Sequence, residues 1–241
     1  MSGRPLLCEL HAHSTWSDGD LSISELVDLY GTSGFDVLCV TDHVGRSDAR
    51  WHDPRWRITD EQAFSDYLGE IEQEAWRADV EHGLLLVPGL ELTYDDEDPS
   101  LAAHAVAVGL RTLVSLDAGL DSALIAARTA GAALIAAHPY SPDDAAATAR
   151  GTGRWAVAGH ALSDLVDRYE LINRREIFPW VADAGLLGVA SGDFHRHEHL
   201  RTWKTLLCCA SSERSVVTYL RSPRPAYLVD LAEPALLEAA A

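Results

Sequence analysis

The chain has 241 residues, enough to bury one sizeable core but cramped for two, so we expect a single domain over 1–230 and an Ala-rich tail over 231–241. A formal charge of -18 would repel a polyanion over most of the surface, which argues against a protein that grips long nucleic acid. No apolar run reaches the roughly 18 residues of a membrane span, and the four cysteines show no CxxC spacing, so the expectation is a cytoplasmic, unprocessed protein without disulfides or thiolate metal sites.

The first predicted strand, Leu6 to His11, runs into His11-Ala12-His13. Ser22 and Glu25 form a capping box for the helix that follows. A second strand, Val37 to His43, ends in Thr41-Asp42-His43 and leads into a loop rich in Arg and Trp over Val44 to Ile58. Thr59 and Gln62 read as the next capping box, opening a long helix to His82. Further strands are predicted at Leu84 to Glu91, His104 to Val108, Ala133 to His138, Tyr169 to Asn173 and Leu187 to Ser191. An acidic loop, Thr93 to Ser100, and a loop with Pro, Gly and Asp, Pro139 to Trp155, separate some of them. Leu206 to Ala210, a helix near Ser212 to Arg221 and Ala226 to Asp230 complete the domain. Alternating strands and helices predict a parallel sheet, and seven such units in so few residues fit an α/β fold of the distorted (β/α)7 TIM-like barrel type better than an open sheet.

Side chains alternate across a strand, so His11 and His13 face the same way and can reach one ion. Asp18 follows in the next loop. Thr41-Asp42-His43, Glu91, His104, His138-Pro139 and Asp193-Phe194-His195 place further imidazoles and carboxylates at other strand ends. Each alone is weak evidence, because a lone strand-end histidine is usually a packing or surface residue. Together they defeat that bland reading: so many ionisable groups meeting at one mouth would be costly to desolvate unless cations neutralised them. His52, His82 and His160 fall in loops or helices and are set aside, as is His199; His197 keeps only a minor claim to a supporting or acid role.

Leu10-His11-Ala12-His13-Ser14, Thr41-Asp42-His43, Glu91, His104, Ala137-His138-Pro139 and Gly192-Asp193-Phe194-His195 resemble the motifs of the PHP family, named for polymerase and histidinol phosphatase. The resemblance spans nearly the whole chain. It implies a site at the C-terminal ends of the strands holding two to three divalent ions. His11, His13, Glu91 and Asp193 would hold one; Asp18, His43 and His195 a second; Glu91, His104 and His138 a third, with Glu91 bridging. Glu9 departs from the Asp found in many relatives and is expected to support the ligands rather than join them.

Imidazole mixed with carboxylate suits manganese, iron or zinc. Three such ions, three ligand carboxylates and a bridging hydroxide would leave about +2 of charge, an anion trap in an acidic protein. The implied activity is phosphoester hydrolysis by that hydroxide, with Glu91, Asp193 and His195 positioning it. The acidic surface favours a small anionic phosphomonoester; a phosphodiesterase or 3'-5' exonuclease is the alternative, and a deaminase or noncatalytic metal-binding module ranks lower. Arg174 and Arg175, then Arg46 and Arg196, are the candidate substrate clamps, set against ordinary surface ion pairing. Trp51, Trp56 and Trp155 could wall a pocket, although loop packing is the commoner role. An amidohydrolase-type barrel with two ions would need a bridging lysine on a strand, and the sole lysine, Lys204, follows every ligand.

Overall fold

A computed structural model describes residues 4–48, 53–140, 152–158, 162 and 164–232. The strands are β1 (Leu6–Glu9), β2 (Val37–Val40), β3 (His43–Gly45), β4 (Leu85–Tyr94), β5 (Ala103–Val108), β6 (Ala133–Ala137), β7 (Arg168–Asn173), β8 (Glu176–Ile177), β9 (Gly188–Ser191), β10 (Trp203–Leu207) and β11 (Tyr227–Asp230). The helices are α1 (Ile23–Thr32), α2 (Glu61–His82), α3 (Leu120–Thr129), α4 (Arg154–Ala158), α5 (Pro179–Asp183) and α6 (Glu213–Leu220).

The strands form one curled mixed sheet in the order β11-β10-β1-β2-β4-β5-β6-β7-β8, with β3 beside β4 and β9 beside β7. Beyond β1 and β9 the chain pairs again at Ala12 and Phe194, where the His13 amide donates to the Phe194 carbonyl at 2.8 Å and the Phe194 amide to the His11 carbonyl at 3.0 Å. This architecture is compatible with a TIM-like barrel.

Strands such as VLCV and ALIAA are apolar throughout because both of their faces are covered. Leu38, Val40, Leu134 and Ala136 pack with the apolar faces of α1, α2 and α3, whereas Val37, Cys39, Ala133 and Ile135 pack with Val216, Tyr219 and Leu220 of α6. The alternation is that of a pleated strand between two cores.

Two expectations need correction. The sheet is not uniformly parallel: β5 runs antiparallel to both β4 and β6, and no helix separates β4 from β5. Helix α2 is capped by Asp60, whose carboxylate accepts the Ala63 amide at 2.8 Å, rather than by Thr59. At α1 the Ser22/Glu25 capping box is present. Of the tail, residues 233–241 lie outside the described residues, as do Trp51, His52, His160 and residues 141–151 of the loop after His138.

Candidate metal centre

Register brings the motifs together. His43 stands opposite Glu91 in the β3–β4 pair. Because β5 is reversed, His104, near its N-terminal end, pairs with Thr93 on one side and with Ala137, the neighbour of His138, on the other. The Ala12–Phe194 pairing sets His11 and His13 beside Asp193 and His195.

Glu91 lies fully buried at the centre. Its Oε2 is 3.1 Å from His11 Nε2, 3.2 Å from His13 Nε2 and 3.1 Å from His43 Nδ1. Its Oε1 is 3.0 Å from His104 Nδ1 and 3.2 Å from His138 Nε2. Asp193 Oδ1 approaches His11 Nε2 at 3.7 Å and His13 Nε2 at 3.5 Å. Asp18 faces His43 Nε2 at 3.4 Å through Oδ1 and His195 Nε2 at 3.3 Å through Oδ2. At this centre possible ligand atoms fall within 4.8 Å of one another in three sets: His13, Asp18, His43 and His195; His11, His13 and Glu91; and Glu91, His104 and His138.

Charge follows from this crowding. Burial alone would raise the Glu91 carboxyl, but the surrounding imidazoles, His43 and His11 foremost, hold it well below the carboxylate range. Asp193 behaves likewise beside His11 and His195. Burial disfavours a charged His13, yet Asp193 and Glu91 lift it to about 9; His104, between Asp95 and Glu91, rises to about 10 against the same burial penalty. Burial dominates at His43 and drives it down to about 3.

The donor set fits divalent cations. His11 and His13 bring their Nε2 atoms within 3.0 Å of each other, an approach that two bare lone pairs oppose unless a proton or cation lies between them. Asp18 Oδ1 and His138 Nδ1 are buried without a hydrogen-bond partner among the described residues. Several ring nitrogens have a second partner: His11 Nδ1 lies 2.9 Å from Glu170, His43 Nδ1 lies 2.7 Å from the Thr93 hydroxyl as well as beside Glu91, and His195 Nδ1 lies 2.9 Å from the Asp193 carbonyl. With its Nδ1 proton donated to Glu170, His11 turns a bare Nε2 toward the cluster, the usual backing of metal-bound histidine.

Several residues outside the expected ligand set support it. Glu170 accepts the His138 amide at 2.6 Å, receives the Asn173 side-chain amide at 2.8 Å and the Ser191 hydroxyl, and orients His11. Asp95 meets His104 Nε2 at 3.0 Å. Asp42 accepts from the Ser14 amide and the Ser14 and Ser17 hydroxyls, fixing the turn after His13. His199, driven down to about 4 chiefly by burial, accepts the His195 amide at 3.1 Å as neutral imidazole. The signal at Glu170 and Asp95 was an acid in or beside a buried strand; only pairing of distant strands gives it a partner.

Glu9, expected behind the ligands, accepts the His11 amide at 3.3 Å and the Gly192 amide at 2.8 Å, tying together the backbones of two ligand motifs. Its Oε2 takes the Tyr30 hydroxyl at 3.0 Å and pairs with Lys204 Nζ at 3.1 Å. Lys204 is buried there, donating also to the His199 carbonyl and the Thr202 hydroxyl.

The arginine candidates separate. Arg174 reaches the cluster: its Nη2 pairs with Asp193 Oδ2 at 3.0 Å and approaches His195 Nδ1 at 3.1 Å. Arg46 is gripped by Asp48 and lies 5.0 Å over the Tyr94 ring, Arg175 donates to the Arg201 carbonyl, and Arg196 sits 59% exposed near Glu198. None of these three is drawn into the ligand cluster. His197 is exposed. Trp56 stacks on His43 with centroids 4.5 Å apart, whereas Trp155 is fully buried and donates to the His104 carbonyl at 2.9 Å, so it braces the strand rather than walling the mouth.

A mixed curled sheet with imidazoles and carboxylates converging at strand ends is the arrangement on which this chain compares with known proteins. The sequence matches no protein-family model and no curated protein. Among solved structures it is similar to a two-domain protein of Bacteroides vulgatus containing a predicted PHP-like metal-dependent phosphoesterase, with TM-score 0.66 and 20% identity over 94% of this chain. The chain spans 65% of the length of that protein. It is also similar to an amidohydrolase of Chromobacterium violaceum bearing sulfate and no metal, with TM-score 0.50 and 14% identity over 78% of this chain and 87% of the other.

Proposed function

We propose that this chain is a metal-dependent phosphoesterase acting on a small phosphomonoester at a trinuclear site. The observation that carries the reading is the division of Glu91: one oxygen faces His11, His13 and His43, the other His104 and His138. A carboxylate that only balanced charge would have no reason to serve two separate imidazole sets.

His11, His13, Glu91 and Asp193 would hold one ion, Asp18, His43 and His195 a second, and Glu91, His104 and His138 a third. Bound there, divalent ions supply an ionised water nucleophile near neutral pH and offset charge growing on the phosphoryl group. The protein's own contribution is placement. Glu170 fixes the His11 ring and the His138 peptide, Glu9 joins the His11 and Gly192 backbones, and Arg174 holds Asp193 and His195 while adding positive charge beside them. A net charge of -18 favours a compact anion over a polyanion. A bridging lysine, as an amidohydrolase-type barrel would require, has no support here, since Lys204 is committed to Glu9.

Purified protein loaded with manganese, assayed against sugar phosphates, amino-alcohol phosphates, nucleotides and short oligonucleotides, tests the reading. We expect phosphate release from a monoester together with more than one bound ion per chain. One tightly held ion, or preferred turnover of oligonucleotides, would overturn the trinuclear or the monoesterase part respectively.

A further inference from the structure

The turn before α2 carries a cation that the ligand motifs do not account for. In Asp53-Pro54-Arg55-Trp56 the Trp56 amide donates to the Asp53 carbonyl at 2.9 Å, and the Arg55 amide to Asp53 Oδ1 at 2.9 Å. Aspartate at the first position and proline at the second are the residues such a turn prefers, because one caps it and the other presets its backbone. Tertiary contacts then pin its exit. Trp56 is buried against His43, the Arg57 amide donates to the Trp16 carbonyl at 2.9 Å, and the Arg57 guanidinium lies 4.2 Å from the Trp16 ring centroid.

Arg55 is thereby displayed at the rim of the centre. Asp53 holds its fork, Nε to Oδ1 at 3.0 Å and Nη2 to Oδ2 at 2.6 Å. The same Nη2 lies 4.0 Å from Asp18 Oδ2, which is itself 3.3 Å from His195 Nε2. The side chain is 60% exposed, and its Nη1 makes no hydrogen bond among the described residues. Arg174, the other guanidinium at the cluster, is bound to Asp193 and His195. Asp18, Asp20 and Asp53 surround Arg55, so without it this side of the mouth would meet an anionic substrate with carboxylates.

We propose that Arg55 clamps a non-bridging phosphoryl oxygen of the substrate on the Asp18 side of the site, with Asp53 holding the guanidinium in place. This rests on the phosphoesterase reading. A planar fork fixed along one edge keeps its outer edge ordered for a phosphoryl group, so less rotamer freedom is lost on binding.

Isothermal titration of manganese-loaded protein with inorganic phosphate, alongside p-nitrophenyl phosphate turnover, tests the assignment. Arg55→Ala should weaken phosphate binding about tenfold and raise KM by a similar factor, more than it lowers kcat, with manganese stoichiometry and melting temperature as in the wild type. Arg55→Lys should recover part of the affinity, because charge returns without the fork. Asp53→Ala should weaken phosphate binding in the same direction by a smaller factor. Phosphate affinity in Arg55→Ala within about twofold of the wild type would overturn the role of Arg55 and leave the phosphoesterase reading standing. Wild-type protein that neither binds phosphate nor cleaves the ester would overturn both.

Discussion

Glu91 is the residue on which the centre turns. If it serves two coordination shells, Glu91→Ala should lose two ions per chain, whereas Asp18→Ala should lose mainly one; elemental analysis after gel filtration reads the difference, and equal losses would contradict the shared role. The buried histidines set a pH dependence. In the metal-free protein His13 and His104 are lifted from 6.5 to about 9 and about 10. The folded chain therefore keeps protons that the unfolded chain has released. The stability these groups confer is complete below pH 6.5 and is lost as pH rises through about 9 and 10. Metal must displace the same protons, so manganese affinity should rise across that window. Melting of chelator-treated protein and manganese titrations between those limits check both signs: stability falling, affinity rising.

At the scale of elements, the reversed strand β5 explains the place of a candidate ligand that a parallel strand could not supply in the same way. A parallel strand would carry its first residue to the far end of the sheet; reversal sets His104 beside Thr93 and Ala137, at the end where Glu91 and His138 already are. The junction of β1 with β9 depends on glycine. A Cβ at Gly192 would overlap the Glu9 carboxylate and the Lys204 ammonium. Gly192→Ala should therefore part a buried ion pair and loosen the amides of His11 and Gly192, at about 3 kcal/mol by urea denaturation. Weaker manganese binding should accompany it. Unchanged stability would mean that Glu9 can move without cost.

For the whole molecule, the acidic balance and the centre act in opposite directions. A charge of -18 would repel an anionic substrate at long range, while cations held at the strand ends would reverse the field locally. Binding to the folded state alone adds about 4 kcal/mol when free manganese is a thousand times its Kd. For a chain of this size that corresponds to a rise of roughly 8–16 °C in Tm. Scanning fluorimetry with manganese and then with excess chelator should show the shift and its reversal; identical melting curves would deny a structural stake for the ions.

Much of the site was legible before the fold was known. HxH spacing on a strand, an Asp-His pair at a strand end and a lone Glu after an apolar run declare themselves because alternation along a strand is local: His11, His13, Asp18, His43, Glu91, His104, His138 and His195 do meet, and Asp193 approaches His11 and His13. The arginines were not legible in this way, since a guanidinium on a loop takes whichever carboxylate the fold brings near: Arg174 found Asp193, Arg46 found Asp48, and Arg55 reached the rim unannounced. Sequence alone determined the apolar strands, the helix caps at α1 and the chemical identity of the ligand donors, all set within a few residues of one another. Tertiary structure alone decided the direction of β5, the partners of Glu9, Glu170 and Asp95, and which cations face the centre. Those depend on strand register and on contacts between residues far apart in the chain, where no local spacing rule operates.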